Sequence, residues 1–480
     1  MIRVYLDWNV ISNYKRPELS GLRNFISTHK EALQFPYSPA HFKDLMKSYR
    51  VDNKFFEEDL NSLNYLSETH LLRWGKDGIE VLSATPKEYF ETEKESEDVL
   101  SMMDLEKVFG DLDRDDFGIG KIGTLMRTLF QLQPSGIQIT DENKEMLQKM
   151  FPNLTEHSSM WDVMKDVMPF SKKLLQERDY FKDFRKSISD KGFKLEANSG
   201  NWSVEEVIKK IDEFLQKQNT KLTFTEYVDT CFKHKKDQVN RFEYYTTAYL
   251  LLDMIGYKPD KLPKPTDNMQ NIQNDAEHSF YSAYCDYFVA IDKNLRTKTK
   301  VLFKEFNIPT VVLTPDELLE TLSSKIYIPN ASEHFVKEAF DLLKQENIVE
   351  TYTTTDDDNV DTFAFKLPIF YFNFFNYAVY QHYPEQRGFI LTFKKVFKNY
   401  SSFIFYTEAE RLVDRVTQFF GVDDLEHFSA KKKSFVYGDK EVNITWQFEG
   451  GLIILELDTE THRPILTYAV TVPKEEQNSS

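Results

Sequence analysis

Residues 2–9 read IRVYLDWN, and this stretch decides the fold. Its first five residues are a short apolar run rich in β-formers, and helical patterns follow it. Such a run predicts a strand buried inside a parallel sheet. Asp7 comes directly after the predicted strand, where functional groups collect in open parallel sheets. We therefore expect Asp7 to belong to a functional site at the carboxyl edge of the sheet.

Strand and helix patterns alternate on either side of a long intervening segment. Residues 18–30 (ELSGLRNFISTHK) predict a helix, residues 32–39 predict a second short strand and turn, and another helix begins near Pro39. Much later, YFVAI (287–291) and IPTVVLTP (308–315) predict two more strands with a helix between them. Alternation of this kind predicts a parallel sheet.

The length of the chain, 480 residues and 56.7 kDa, predicts two or three domains. The predicted fold class is α/β, with a parallel-sheet core that is discontinuous in sequence and formed by residues 1–50 and 240–322. Residues 51–239 carry charged and apolar residues at helical spacing, which predicts a mostly helical insertion. Residues 325–480 predict a C-terminal α+β domain with an antiparallel sheet, whose β-runs include SFVYG (434–438).

Composition narrows the expected partners and compartment. The formal net charge of −17 disfavours tight nonspecific binding of nucleic acid through a broad basic face, although a metal site needs local acidity. The two cysteines, Cys231 and Cys285, provide neither a disulfide framework nor a CxxC zinc motif. No stretch approaches the roughly 20 apolar residues that a membrane helix needs. We therefore expect a cytoplasmic protein without a membrane partner.

Further acidic residues lie in the segment NDAEHSFYSAYCD and just after it. On a helix, Asp275 and His278 share one face, and Asp286 follows Asp275 by about three turns. Asp292 ends the strand pattern YFVAI. Carboxylates that converge from strand ends repel one another unless they take up protons or bind a divalent cation. Because hard oxygen ligands favour Mg²⁺ or Mn²⁺, the pattern predicts a site for one of these ions.

Two of these segments resemble parts of the PIN domain, a family that generally acts as metal-dependent ribonucleases. YLDWNVI (5–11) is similar to the first PIN strand, which opens with Asp-x-Asn, and NDAEHSFYSAYCDYFVAID (274–292) is similar to the later helix and strand with the last acidic residues. The resemblance covers about residues 1–50 and 240–322. It implies a PIN-like parallel-sheet core that is interrupted by a large insertion.

The resemblance also implies which residues bind the metal. Asp7, Asp275 and Asp292 match the metal-binding acids of the family, and Asp286 is an additional candidate ligand. The sequence departs from the family at Ala290, where a Thr is common, so one polar group is missing from the expected site.

Other residues match the family less closely. Asp44, with His41 beside it, stands where a Glu is more usual, and it is the candidate for the second catalytic acid. The implied catalytic set is therefore Asp7, Asp44, Asp275 and Asp292. The residues expected to position the substrate are Asn9, His278, Lys293 and Arg296.

Each of these residues also has a structural interpretation. An Asp after a strand is usually a turn or helix-cap residue, and a histidine on a half-buried helix is usually a hydrogen-bonded structural residue. Basic residues near the site, such as Lys43 and Lys47, form either a phosphate-binding rim or an ordinary solvated face.

The predicted function is hydrolysis of RNA phosphodiester bonds by a metal-activated water, which would make the protein a metal-dependent endoribonuclease. Single-stranded DNA is the nearest alternative substrate. The accessory regions suggest a regulated, toxin-like or defence effector, with a regulatory protein partner that binds the insertion or the C-terminal domain. A housekeeping role in RNA processing fits equally well. The alternative class is a non-catalytic protein- or RNA-binding scaffold on a PIN fold.

Overall fold

A computed structural model shows a mixed α/β chain that divides into two compact units. The first unit comprises Met1–Glu88, Asn240–Phe242 and Glu277–Ser480, and the second comprises Tyr89–Val239 and Glu243–Ala276. The structure describes residues 1–50, 55–76, 78–94, 131, 135, 139–140, 144, 147–148, 151–155, 157–190, 192–196, 198–218, 221–232, 239–265, 267–329, 334–354, 360–384, 387–396, 406–422, 425–439, 441–448 and 450–471.

The early part of the first unit contains two strands of a parallel sheet, four helices and an antiparallel hairpin. In chain order these are β1 (Ile2–Leu6), α1 (Trp8–Ser12), α2 (Ser20–His29), β2 (Leu33–Gln34), α3 (Pro39–Arg50), α4 (Phe56–Ser67), β3 (His70–Trp74) and β4 (Ile79–Ser83).

The hairpin of β3 and β4 lies in the segment for which the sequence predicts a mostly helical insertion. It is bridged to the segment that follows β2, because the Tyr37 amide donates to the carbonyl of His70 at 2.9 Å and the Leu72 amide donates to the carbonyl of Tyr37 at 2.8 Å. The first unit therefore extends to Glu88, well beyond the boundary at residue 50 that the sequence suggests.

The described residues of the second unit are mainly helical. Capping boxes begin two of these helices, Ser159 with Asp162 before α6 and Thr223 with Glu226 before α9. Among the described residues of the whole chain, no helix has the length and apolar composition to span a bilayer. The helices that the structure describes between residues 86 and 282 are α5 (Pro86–Glu93), α6 (Met160–Gln176), α7 (Arg178–Asp190), α8 (Val207–Lys217), α9 (Phe224–Thr230), α10 (Arg241–Met254) and α11 (Met269–Ser282).

The predicted parallel sheet is confirmed. The chain re-enters the first unit at Glu277, within α11, and completes the sheet with β5 (Tyr287–Val289), α12 (Lys293–Glu305), β6 (Val311–Leu313) and α13 (Pro315–Ser323). The strand order is β2-β1-β5-β6, and every pairing is parallel. All residues of β1 and β5 are buried, which explains why both strands are apolar runs without alternation.

The C-terminal part of the first unit forms an eight-stranded mixed sheet in the order β12-β13-β14-β11-β10-β9-β7, with β8 also paired to β9. Its pairings are antiparallel except that of β7 with β9, so the predicted antiparallel sheet is correct for most of it. The elements are β7 (Ile326–Tyr327), α14 (Phe335–Asp341), β8 (Ile348–Thr354), β9 (Val360–Tyr371), β10 (Phe375–Tyr383), β11 (Gly388–Lys394), α15 (Tyr406–Phe420), α16 (Leu425–Val436), β12 (Ile444–Phe448), β13 (Gly451–Leu457) and β14 (Pro464–Thr471).

Two strand predictions in this region are wrong. The run SSFIFYTE (401–408) also predicts a strand, but its described residues, 406–408, begin helix α15. The run SFVYG at 434–438 is not a strand, because its first three residues end helix α16. Phe428 and Phe435 lie seven residues apart, so they share a helix face, and both contact the aromatic core of the mixed sheet. The packing of this face outweighs the local β-propensity of the run.

Buried ion pairs join the mixed sheet region to the amino ends of β1 and β5. The Arg3 guanidinium is paired with Glu408 of α15, and the Lys395 ammonium donates to Asp286 at 2.9 Å. Asp286 also accepts from the Arg3 amide at 2.8 Å. All four residues are at most 5% exposed. These ion pairs explain why the parallel sheet and the C-terminal elements belong to one unit.

The charge state of Glu408 depends on its cationic neighbours. Burial is the largest single influence and would raise the pKa of this carboxyl. The charges of Arg3, the N-terminal amino group and Lys395 together outweigh burial and hold the pKa of Glu408 well below its usual range. The group is therefore ionised and contributes stability at neutral pH.

The change Glu408→Gln is expected to lower the free energy of unfolding by about 3–5 kcal/mol, because it leaves Arg3 buried without its counter-charge. Because the pKa of Glu408 is lowered, its contribution to stability is fully present above the ordinary glutamate pKa of about 4.3. The contribution decreases at lower pH, as the carboxylate becomes protonated in the folded protein. Urea titrations at pH 7 and pH 3 should show a larger loss at pH 7.

Glu410→Gln is the matched control, because Glu410 lies on the same helix with its side chain 55% exposed and pairs with Lys432 at 3.5 Å. Its loss should stay under about 1 kcal/mol. Equal losses for the two variants at pH 7 would contradict a stabilising role for the buried pair.

Candidate functional site

Asp7 occupies the junction between β1 and α1. Its backbone amide donates to the carbonyl of Val289 at 2.8 Å, which extends the pairing of β1 with β5 by one residue. Its carboxylate accepts from the Asn9 amide at 3.3 Å and caps α1. The residue is 1% exposed. Asp7 is thus a buried carboxylate held by one long hydrogen bond to the backbone.

Asp44 and His278 lie beside Asp7 and are hydrogen-bonded to each other. Asp44 is on α3 and His278 is on the part of α11 that belongs to the first unit. His278 Nε2 lies 3.0 Å from Asp44 Oδ2, and Lys47 Nζ lies 2.9 Å from Asp44 Oδ1. The Asp44 side chain is 15% exposed, whereas that of His278 is 1% exposed. The pair therefore points its carboxylate end toward solvent.

The two carboxyl groups have pKa values that shift in opposite directions. Burial raises the pKa of Asp7 and the charge of Asp44 adds to this rise, while His278 opposes it. For Asp44, burial would raise the pKa, but the hydrogen bond from His278 and the charge of Lys47 outweigh it, so the net shift is downward. Two carboxyl groups with divergent pKa values at a strand end are typical of a functional site.

Three buried polar side chains lie beneath Asp44 and His278. The Tyr5 hydroxyl lies 2.9 Å from His278 Nδ1 and 2.6 Å from Ser38 Oγ. His41 Nε2 lies 2.8 Å from the carbonyl of Leu6, and its Nδ1 accepts from the Ser38 amide at 3.1 Å. Burial lowers the pKa of His41 to about 3, so this ring is neutral at physiological pH. The predicted helix partner of Asp44 is therefore a structural histidine.

A second ion pair lies next to the first. Lys43 donates to both carboxylate oxygens of Glu277, at 2.6 and 2.7 Å. Glu277 is 3% exposed, whereas the Lys43 side chain is 51% exposed. Helix α3 therefore contacts the end of α11 through two adjacent pairs, Lys43 with Glu277 and Asp44 with His278. Lys43 and Lys47 are both paired with acids, so neither is simply a solvated charge.

Asp292 and its neighbours lie at the end of β5, which is the strand next to β1. Asp292 is exposed and caps α12 by accepting from the Leu295 amide at 2.8 Å. Lys293 is exposed as well. Arg296 donates to the carbonyls of Ala290 and Ile291, at 2.7 and 2.5 Å, and so closes the end of the strand. These residues share the sheet edge with Asp7, but their described contacts are capping contacts.

The structure corrects the expectation for Asp286. Helix α11 ends at Ser282, so Asp286 does not continue the helix face of Asp275. Asp286 instead pairs with Lys395 and Arg3 at the amino edge of the sheet. This edge is separated from Asp7 by the length of β1, about 13 Å at 3.3 Å per residue. Asp286 therefore has a structural role and is left out of the candidate site.

Asp275 falls in the second unit, where it is half-buried on α11. The candidate site consists of first-unit residues alone, namely Asp7, Asp44 and His278, with Asn9 exposed at the start of α1. The proposed part of Asp275 in metal binding therefore remains a prediction.

The donor set can be compared with the needs of a divalent cation. Within the described ranges of the chain, no group of three or more His, Cys, Asp or Glu side chains is arranged to hold a metal ion. The described residues therefore do not form a site in which protein side chains alone complete the metal coordination. Mg²⁺ commonly binds through one or two carboxylates and completes its shell with water and substrate phosphate. Asp7 and Asp44 fit this open arrangement, because the hydrogen bonds described for the Asp7 carboxylate come from Asn9 and the Asp44 carboxylate reaches solvent.

Sequence reasoning missed Tyr5, Ser38 and Glu277. Side chains alternate along a strand, so Tyr5 shares a face with Asp7, and this period of two would have identified it. Ser38 precedes Pro39 at the start of α3, and its hydroxyl accepts from the Ala40 amide at 3.3 Å, as expected of a cap. No local signal identifies Glu277, because its partner Lys43 lies 234 residues away in sequence.

No protein-family model, curated protein or solved structure matches the chain in the three comparisons.

Asp7→Asn is expected to raise the free energy of unfolding at pH 7 by about 0.5–2 kcal/mol. The amide keeps the cap on α1 while removing a buried charge. Because the pKa of Asp7 is raised in the folded state, ionisation of this carboxyl lowers the stability of the fold at pH values above the ordinary aspartate pKa of about 3.9. The gain should therefore disappear near pH 4, which thermal melts at pH 4 and pH 7 can measure.

Asp439→Asn is the matched control, because the exposed Asp439 also accepts from a backbone amide two residues ahead, that of Glu441 at 3.1 Å. Its effect should stay within about 0.5 kcal/mol at both pH values. A clear loss of stability in Asp7→Asn would show that Asp7 is a structural cap.

Proposed function

We propose that the chain is a metal-dependent nuclease that hydrolyses RNA phosphodiester bonds at the site formed by Asp7 and Asp44. The observation that carries the proposal is the buried, weakly bonded carboxylate of Asp7 beside a second carboxylate at the carboxyl edge of a parallel sheet. Burial of such a pair opposes folding, so a functional reason is expected for it. The resemblance of residues 5–11 and 274–292 to PIN domains supplies the reaction type.

Asp7 and Asp44 would hold Mg²⁺ or Mn²⁺ with the remaining positions open to water and phosphate. When bound, such an ion lowers the pKa of a water molecule and neutralises charge on the scissile phosphate. Lys47, 44% exposed and paired with Asp44, would then be able to turn toward a substrate phosphate. Asn9 and Lys293, both exposed at the same sheet edge, would contact the RNA backbone.

We further propose that RNA is the substrate and that a protein partner regulates the site. RNA is favoured over single-stranded DNA because of the resemblance to ribonucleases, and the cleavage assay below includes both. A protein that binds the second unit or the mixed sheet would regulate the site. We propose that Asp275 and Asp292 contribute further carboxylates to the metal site when the substrate is bound.

The first test is cleavage of total RNA and single-stranded DNA in the presence of Mg²⁺, Mn²⁺ or EDTA. Metal-dependent loss of RNA is expected, and Asp7→Asn should reduce the rate by about 10²–10³-fold, as removal of one electrostatic catalytic group does. Asp44→Asn should behave similarly, whereas Asp439→Asn should keep the wild-type rate. Metal-independent cleavage, or full activity in Asp7→Asn, would refute the proposal.

The second test is metal binding without substrate. Wild-type protein freed of metal by EDTA and then given Mn²⁺ at about 100 times its dissociation constant should gain roughly 2.7 kcal/mol, seen as a rise in Tm. Asp7→Asn should lose this rise, and Asp439→Asn should retain it. If the wild type shows neither cleavage nor a metal response, the non-catalytic scaffold is the correct function.

A further inference from the structure

We infer that Ser38, Tyr5 and His278 form a positioning chain that holds the carboxylate of Asp44 in one orientation. This inference rests on the proposed function, because Asp44 is there a metal ligand. The chain consists of three hydrogen bonds, Ser38 to Tyr5, Tyr5 to His278 and His278 to Asp44, with lengths of 2.6, 2.9 and 3.0 Å.

The direction of the last bond follows from the chemistry of its partners. An ionised carboxylate can only accept, so His278 Nε2 carries the hydrogen and donates to Asp44. A ring that carries its single hydrogen on Nε2 has Nδ1 as an acceptor. The Tyr5 hydroxyl lies 2.9 Å from this acceptor and 3.3 Å from His41 Nδ1, so it donates to His278 at the shorter distance. The tautomer of His278 is therefore determined from both sides.

The first bond completes the chain. Because the Tyr5 hydroxyl donates its proton to His278, the Ser38 hydroxyl is the donor to the Tyr5 oxygen. Ser38 is itself held in place, since its amide donates to His41 Nδ1 and His41 Nε2 donates to the carbonyl of Leu6. Leu6 directly precedes Asp7. The positions of both site carboxylates thus depend on the same group of buried side chains.

Burial makes this arrangement rigid. Tyr5, Ser38 and His41 are fully buried and His278 is 1% exposed, so bulk water cannot replace a lost partner in the chain. Only Asp44, at 15%, reaches solvent. Outer-shell partners of this kind orient metal ligands, and their removal typically weakens metal affinity by about 10–100-fold.

The test uses Tyr5→Phe, which removes one hydroxyl and keeps the ring, in the full-length chain. The apparent dissociation constant for Mn²⁺, from calorimetry, should rise by about 10-fold or more. The cleavage rate at saturating Mn²⁺ should change much less, because the restored metal brings Asp44 back into place. A purely structural loss would instead lower the active fraction and leave the metal affinity unchanged.

Tyr37→Phe is the matched control. Tyr37 is 1% exposed, and its hydroxyl donates to the carbonyl of Ala84 at 2.8 Å, outside the positioning chain. This variant also loses one buried tyrosine hydrogen bond, yet its Mn²⁺ affinity should equal that of the wild type. Wild-type affinity in Tyr5→Phe, or the same shift in Tyr37→Phe, would overturn the inference.

A second readout separates this inference from the proposed function. Nitrogen NMR of labelled histidines should show His278 with hydrogen on Nε2 in the wild type and a changed tautomer balance in Tyr5→Phe. If the wild type binds no Mn²⁺ but the tautomer responds, the proposed function fails and the positioning chain stands. If the His278 signals are the same in both proteins, the positioning chain is wrong whatever the metal result.

Discussion

The pairing of β1 with β5 is the interaction on which the rest of the first unit depends. It joins β1 to β5, whose partners are 283 residues apart in sequence, in a parallel register from Val4 with Tyr287 to Leu6 with Val289. One hydrogen bond continues the ladder from Asp7 to Val289. A shift of this register by one residue would turn Tyr5 and Asp7 to the other face of the sheet. The candidate site therefore exists only when this pairing is correct.

The charged and polar partners at the two ends of β1 differ. At the amino end, Arg3 is paired with Glu408, and Asp286 accepts hydrogen bonds from Lys395 and the Arg3 amide. Loss of either partner from such a pair would leave an uncompensated buried charge, so each charge depends on the other. At the carboxyl end, the Asp7 carboxylate accepts from Asn9, whose amide lies 3.3 Å from it. Buried cations thus pair with acids where β1 joins the mixed sheet, whereas at the site Lys47 and His278 pair with Asp44.

The helices that flank this strand end explain why Asp44 and His278 meet. Helix α3 begins five residues after the end of β2, and α11 ends five residues before the start of β5, so both helices belong to the connection between these two strands of the sheet. Lys43 with Glu277 and Asp44 with His278 are adjacent contacts between these helices. One of the two pairs is a conventional ion pair. The other pair belongs to the site because the charge of its carboxylate, that of Asp44, also raises the pKa of Asp7.

Much of this arrangement follows from the sequence alone. The apolar runs at residues 2–6 and 287–291 determined the buried parallel strands, and the positions of Asp7 and Asp292 directly after them placed both at one sheet edge. Local chemistry also determined that each would cap the next helix. These features depend on neighbours within a few residues, so composition and spacing are sufficient to predict them.

Only the tertiary structure decided which acids share a site. Asp286 looked equivalent to Asp292 in sequence, but α11 ends at Ser282 and Asp286 lies at the opposite edge with Lys395. Conversely, Asp44 and His278 are 234 residues apart, and only folding brings them to 3.0 Å. A side chain's partner is set by where distant segments pack, and its pKa is set by that partner and by burial. Neither quantity is encoded in the residues next to it, which is why the strand ends were predictable and the composition of the site was not.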